Sequence, residues 1–177
     1  MFKLIICTFL IFKPLLSLAV DCQKEYQKHL ETDLNLSYKE FDQTQNSGMR
    51  KLGNLGCHKE TADLIERYIQ INNSKENSLW WHVAQQRAMA NDYFQAILNA
   101  KKVLLDDEDF SKQPLRWNDY VLATIAFWEG DKEKLIFHRN EVSKAKDEYI
   151  GNKINLKLLD ALIENFGKSY NYAASKL

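Results

Sequence analysis

The chain contains little proline and glycine, with two prolines and six glycines among its 177 residues. No segment alternates apolar and polar residues over the run that a half-buried β-strand requires. Apolar residues recur instead at every third or fourth position, which is the spacing of one face of an α-helix. The sequence therefore predicts an all-α fold, with about eight helices separated by short breaks.

An excess of charge of either sign is also lacking, because 24 basic residues balance 24 acidic residues. A surface that binds nucleic acid needs a basic patch that neutralises phosphates. Loss of Lys3 and Lys13 with an N-terminal signal would leave 22 basic residues against 24 acidic ones. The composition therefore argues against nucleic acid as a partner.

Recognised catalytic motifs are absent as well. The sequence contains no glycine-rich phosphate loop, no G-x-S-x-G and no H-E-x-x-H. Carboxylates are abundant, but they occur in runs such as Asp106–Asp109. We expect that run to lie in a solvated loop, because acidic residues at the C-terminus of a helix oppose its dipole. We predict no catalytic residues, no metal and no cofactor, and a protein that is not an enzyme.

The first residues have the order of a secretory signal peptide. Lys3 supplies a basic start, Leu4–Phe12 form an apolar run, and Ser17-Leu18-Ala19 ends in small residues. This order predicts cleavage after Ala19. A membrane anchor is the alternative, but Lys13 and Pro14 interrupt the apolar run well short of the ~20 residues of a spanning helix.

The predicted organisation is a signal peptide over residues 1–19 and a single domain over residues 20–177. No later segment is apolar over the ~20 residues of a membrane span. We therefore expect an exported protein, periplasmic or secreted, with no membrane span after removal of the signal.

Three cysteines are present, of which Cys7 lies in the predicted signal. Cys22 and Cys57 remain as an even pair in a chain bound for an oxidising compartment, which predicts a disulfide between them. A zinc site made by these cysteines with His29 and His58 is an alternative, although the spacing matches no standard module. A small hydrolase or metal-binding protein that uses the Cys57-His58 region is the alternative function.

The segment Ser78–Asp107 is the best-formed part of the chain, and it predicts two amphipathic helices joined at a polar bend, Ala90-Asn91-Asp92. The segments on either side resemble looser copies of it. Ala62 and Ala96 occupy matching points 34 positions apart, and Leu135 takes the same place 39 positions later. A fixed period of this size indicates a helical-repeat protein.

The repeat resembles the tetratricopeptide family over about Asn46–Lys144. The residues that carry the resemblance are Trp80, Ala84, Asp92-Tyr93, Ala96 and Val103 in the middle copy, and Ala123, Ala126, Gly130-Asp131 and Val142 in the third. The middle copy departs from the family pattern in having Ala84 for the usual glycine, Arg87 for the usual aromatic residue and Glu108 for the usual proline. The first copy has Arg50 and Gly53 where small and aromatic residues belong. The resemblance implies antiparallel helical hairpins stacked as a short TPR-like solenoid; a generic antiparallel bundle is the alternative.

In the tetratricopeptide geometry the first helix of each hairpin lines a concave groove that binds peptides or proteins. The resemblance places six residues in that groove, namely Trp81, Gln85, Met89, Trp117, Tyr120 and Thr124, with Lys51 and Asn54 at its first-copy end. Aromatic side chains with polar tips suit protein recognition, because they bury large areas at low entropic cost. The alternative is that several of these aromatic side chains fill the core. The predicted function is a protein- or peptide-binding module.

Overall fold

The computed structural model describes residues 20–177, so the predicted signal peptide over residues 1–19 lies outside the described part. Residues 20–177 form nine α-helices and one π-helical turn, with no β-strand among them. The prediction of an all-α fold is therefore confirmed. The elements are α1 (Cys22–Thr32), the π-turn (Lys39–Gln43), α2 (Gly48–Asn54), α3 (His58–Asn72), α4 (Asn77–Met89), α5 (Tyr93–Lys101), α6 (Trp117–Glu129), α7 (Lys132–Lys144), α8 (Ile150–Glu164) and α9 (Tyr170–Ala174).

Local signals set two of the short bends between helices. Asn91 and Gly130 adopt left-handed backbone conformations, with φ of 62° and 75°. The next residue in each case, Asp92 or Asp131, accepts a hydrogen bond from a backbone N–H in the first turn of the following helix, at 3.2 and 3.0 Å. Such caps satisfy donors that the helix itself leaves unpaired. Short bends of this kind turn α5 back along α4 and α7 back along α6.

The start of α6 differs from the sequence prediction. Proline favours the first turn of a helix, so the sequence predicts a helix start at Pro114, whereas α6 begins at Trp117. The buried side chain of Asn152 explains the difference, because it accepts a hydrogen bond from the Arg116 N–H and donates one to the Pro114 carbonyl, both at 2.9 Å. These bonds hold residues 114–116 against α8 outside the helix.

Two hydrophobic cores lie on opposite sides of α4. Leu79 and Val83 enter the core formed with the π-turn, α2 and α3. Trp81, Ala84 and Ala88 enter the core formed with α5 to α9. These two sets of positions lie on opposite faces of a helix. Consecutive helices also pack directly on each other, α3 on α4, α4 on α5, α6 on α7 and α7 on α8.

The π-turn packs closely against the start of α2. Gly48 has φ of 49°, and a Cβ atom there would lie 2.2 Å from the Phe41 carbonyl oxygen. A side chain at this position would therefore push the π-turn away. On its other side, the fully buried Phe41 stacks on Tyr68 of α3 with ring centroids 3.8 Å apart.

The predicted disulfide is present. The sulfur atoms of Cys22 and Cys57 are 2.06 Å apart, and the bond joins the first residue of α1 to the residue that precedes α3. Helix α1 packs on α2 and α3. The disulfide therefore ties the N-terminal helix to the first core. No helix within residues 20–177 combines the length and apolarity that crossing a membrane would take.

Replacing both cysteines (Cys22→Ser with Cys57→Ser) is expected to lower the free energy of unfolding by about 4 kcal/mol, because the closed loop no longer restricts the unfolded chain. The cysteines are 35 positions apart. Guanidinium denaturation followed by far-ultraviolet circular dichroism measures the change. A reductant should shift the wild type in the same direction and leave the double variant unaffected; equal midpoints for the two proteins would contradict the expectation.

Candidate functional site

Helix α4 has a third face between the two core-facing sides, and its residue Met89 also packs against the second core. Its side chains are half-buried and are those of Ser78, His82, Gln85, Gln86 and Met89. We call this set the inner face of α4. Two residues predicted to line a groove, Gln85 and Met89, belong to it, whereas Trp81 lies on the neighbouring face that enters the second core.

The π-turn covers the N-terminal part of the inner face. The hydroxyl groups of Tyr38 and Ser78 are hydrogen-bonded at 2.7 Å, and Nδ1 of His82 lies 2.6 Å from Oδ1 of Asp42. Asp42 is only 2% exposed. A buried carboxylate needs a charged or hydrogen-bonding partner, so we assign the His82–Asp42 pair a structural role in docking the π-turn on α4.

The aromatic residues predicted for the groove do come together, around Trp81. Its ring centroid lies 5.6 Å from that of Trp117 and 5.3 Å from that of Tyr120. Trp81 and Tyr120 are 5% and 6% exposed, and Thr124 is fully buried. Trp117 is half-buried, and its indole N–H donates to the Val103 carbonyl at 2.8 Å. These side chains pack α6 against α4 and α5 and leave little surface for a partner.

Helix α9 packs next to this aromatic cluster, on the side where Trp128 of α6 lies beside Trp81. Tyr170, 1% exposed, packs its ring on Trp128 with centroids 5.4 Å apart, and its backbone N–H donates to the Tyr93 hydroxyl at 2.9 Å. The Gln85 side chain lies beside the Tyr170 hydroxyl. The sequence predicts a short helix over Ser169–Ala174, and α9 agrees with it. No local signal indicates where that helix packs.

An open cleft remains between α2 and the C-terminal end of the inner face. It has a volume of about 370 Å³, and its lining includes Met49, Arg50, Gly53, Asn54, Gln86 and Met89. Met89 and Asn54 were predicted for the groove, whereas Arg50, Gln86 and the neighbouring His58 were not. The small residue Gly53 is the one signal in the sequence that marks the cleft, because it leaves the space beside Gln86 open: a Cβ atom at Gly53 would be 3.5 Å from Nε2 of Gln86, an ordinary contact distance.

The cleft carries positive charge and amide groups. Arg50 and His58 are the ionisable side chains in its lining, which otherwise consists of four amide side chains, two methionines and Gly53. His58 Nδ1 is hydrogen-bonded to Gln86 at 2.9 Å, and Arg50 Nε donates to the Asp42 carbonyl. Amide side chains can both donate and accept hydrogen bonds, and a guanidinium can donate several at once. The lining offers recognition groups and lacks a nucleophile paired with a base.

The Cys57-His58 region has a different arrangement from the one a thiol or zinc site needs. Cys22 and Cys57 are bonded to each other, His29 is paired with Asp33, and His58 is paired with Gln86. A thiolate is required for nucleophilic attack and for zinc binding. Within residues 20–177, no group of three or more potential ligand side chains is arranged to hold a metal ion.

Comparisons of the chain with protein-family models, with curated proteins and with solved structures find no match.

Two buried tyrosines predict a loss of stability in alkaline solution. Burial raises the pKa of Tyr120 and of Tyr170 far above the ordinary value of 10.0. Above about pH 10 both tyrosines ionise in the unfolded chain but stay protonated in the native protein, which then binds more protons. The free energy of unfolding should therefore fall as the pH rises above about 10.

Urea denaturation at a series of pH values, together with phenolate absorbance, tests this expectation. The decline should be shallower in the variants Tyr120→Phe and Tyr170→Phe, which lose the ionisable group and keep the ring. Ionisation of all eight tyrosines near pH 10 while the protein stays folded would contradict it.

Proposed function

We propose that this chain is an exported, TPR-like module that binds a protein or peptide and has no catalytic activity of its own. In this proposal the hairpins α2–α3, α4–α5 and α6–α7 are three copies of one repeat. The cleft between α2 and α4 is the part of the concave groove that is open to a ligand.

The positions of the repeat residues support the stacking. Ala62, Ala96 and Leu135 occupy the fifth, fourth and fourth positions of the second helix in each hairpin, and all three are fully buried. Ala84 and Ala123 on the first helices are also fully buried. Small buried residues at matching points allow helices to approach closely within and between hairpins, which is what a repeated hairpin requires.

The observation that carries the function is the cleft itself. It lies between the first helices of the first two proposed hairpins, and its volume of about 370 Å³ is within the range of about 300–1,000 Å³ typical of ligand pockets. The amides of Asn54 and Gln86 suit the backbone groups of a peptide, and the flexible thioethers of Met49 and Met89 adapt to varied apolar side chains. Arg50 adds a preference for acidic groups.

The disulfide supports export. Disulfides persist in oxidising compartments such as the periplasm and the extracellular space and are rare in the cytosol of most organisms. The bond between Cys22 and Cys57 is therefore in keeping with a periplasmic or secreted protein, as the N-terminal sequence predicts.

The substitution Gly53→Ala tests the proposal while avoiding loss of fold. A methyl group there has room, since its nearest neighbours would lie at ordinary contact distances of 3.5 Å and more. Alanine stabilises a helix by about 0.5–1 kcal/mol relative to glycine, so the melting temperature should rise. The same methyl group lies over the cleft, so affinity should fall several-fold for peptides selected by display on the wild-type full chain.

The matched control is Asn140→Ala, at an exposed position of α7. This substitution also favours helix, but the position lies outside the cleft. It should leave peptide affinity unchanged. Isothermal titration calorimetry with the selected peptides measures both variants. Failure of display to yield any specific peptide, or equal affinities for the two variants, would count against binding in the cleft.

A further inference from the structure

The guanidinium group of Arg50 in the cleft is only partly used by the protein itself. Its Nε donates a hydrogen bond to the backbone carbonyl of Asp42. The two Nη groups are not buried, and they donate to nothing else within residues 20–177. Among the described residues that line the cleft, none carries a carboxylate. Two positively charged donor groups therefore remain for a ligand, and a planar fork of this kind suits a carboxylate.

The carbonyl that holds Arg50 lies near the end of the π-turn, Lys39–Gln43. Carbonyl groups at the end of a helical segment lack a partner within that segment. Arg50 follows Gly48 by two positions, and the absence of a side chain at Gly48 lets the start of α2 approach the π-turn. This close approach brings Arg50 to the Asp42 carbonyl. Single π-helical turns occur frequently at functional sites.

Helix α4 fixes the position of the π-turn. Nδ1 of His82 lies 2.6 Å from Oδ1 of Asp42, and the hydroxyl of Tyr38, the residue before the π-turn, is hydrogen-bonded to Ser78 at 2.7 Å. Because α4 is buried in both cores, His82 and Ser78 cannot shift independently of the rest of the protein. Asp42 therefore links α4 to the cleft, since its carboxylate contacts His82 and its carbonyl contacts Arg50.

The restraint on Arg50 has a consequence for binding. An arginine side chain that moves freely loses rotamer freedom when a ligand immobilises it, and this loss weakens binding. The hydrogen bond to Asp42 restricts Arg50 before any ligand arrives. Preorganisation of this kind strengthens the interaction with a group that matches the fork and favours that group over others.

We propose that the π-turn positions Arg50 to bind an acidic group of the ligand, with Asp42 and His82 as the positioning residues. The inference rests on the proposed function, because it concerns the ligand of the same cleft. It names that ligand as a peptide with an aspartate or glutamate side chain. Asp42 and His82 do not touch the ligand; both act through Arg50.

Two small probes of nearly equal size separate recognition of charge from binding in general. N-acetylglutamate N-methylamide carries a carboxylate, and N-acetylglutamine N-methylamide carries an amide in its place. Each is titrated into the ¹⁵N-labelled full chain, and the side-chain resonances of Arg50 Nε–H and the Gln86 amide report binding in the cleft. The glutamate probe should bind the wild type roughly tenfold more tightly, because hydrogen bonds to a charged acceptor are the stronger ones.

The ratio of the two dissociation constants is the readout, because a purely structural role would change both affinities together. His82→Phe keeps a ring but removes the hydrogen bond to Asp42, and it should lower the ratio by about threefold or more. The matched control is His138→Phe on α7. His138 is likewise paired with an aspartate, with Nδ1 2.8 Å from Oδ1 of Asp119, but it lies outside the cleft. This control should keep the wild-type ratio.

The variant Arg50→Lys covers the case in which His82→Phe does not fold. Lysine keeps the positive charge but lacks the Nε–H that donates to Asp42, so the ratio should fall here as well. A full ratio in folded His82→Phe or in Arg50→Lys would overturn the proposal. Equal affinities of the wild type for the two probes, or no binding of the glutamate probe, would also overturn it.

These results are separate from those of peptide display. A wild-type protein that binds display-selected peptides in the cleft but does not distinguish the two probes would refute the positioning of Arg50 and leave the proposed function standing. Failure of display would count against the proposed function whatever the ratio for the probes.

Discussion

The burial of two opposite faces of α4 is the constraint on which the rest of the structure depends. Leu79 and Val83 belong to the N-terminal core, and Trp81, Ala84 and Ala88 belong to the C-terminal core. A helix buried on both sides cannot rotate or shift without disturbing both cores. Helix α4 therefore presents its remaining inner face in a single orientation, which is what a recognition surface needs.

Three parts of the molecule divide that inner face among them. The π-turn and the residue before it are hydrogen-bonded to His82 and Ser78. Helix α9 lies beside Gln85, and Gln86 and Met89 line the open cleft. The first contact includes a buried carboxylate and is expensive to break. The second includes the buried Tyr170 of the five-residue helix α9, which is part of the C-terminal core. The inner face thus combines two covered sections and one open section.

The fold could be predicted where the signals are local. Gly130 and Asn91 adopt the left-handed conformations that bends need, the aspartates after them cap helices, and the two cysteines outside the predicted signal form the expected pair. The start of α6 could not be predicted, because Asn152, a residue of α8, holds the chain before it.

The candidate site was predicted less well for the same physical reason. The prediction based on the repeat puts Trp81, Trp117 and Tyr120 in one neighbourhood, and their rings do lie together, but whether that neighbourhood is open depends on tertiary packing that includes α9. Its hydrogen bond to Tyr93 spans 77 positions of sequence, and no local pattern reports such a contact. Arg50 and Gln86 were missed because polar residues on a helix are ordinarily solvated. Only the approach of α2 to α4 makes them neighbours.

Methionine methyl groups give the most direct measurement of the central claim that the cleft binds the ligand. The chain has three methionines, and Met49 and Met89 both line the cleft. In the full chain labelled with ¹³C at the methionine methyl groups, a display-selected peptide should shift both resonances together and show nuclear Overhauser contacts to them at saturation. Saturable peptide binding that leaves both resonances in place would contradict the account.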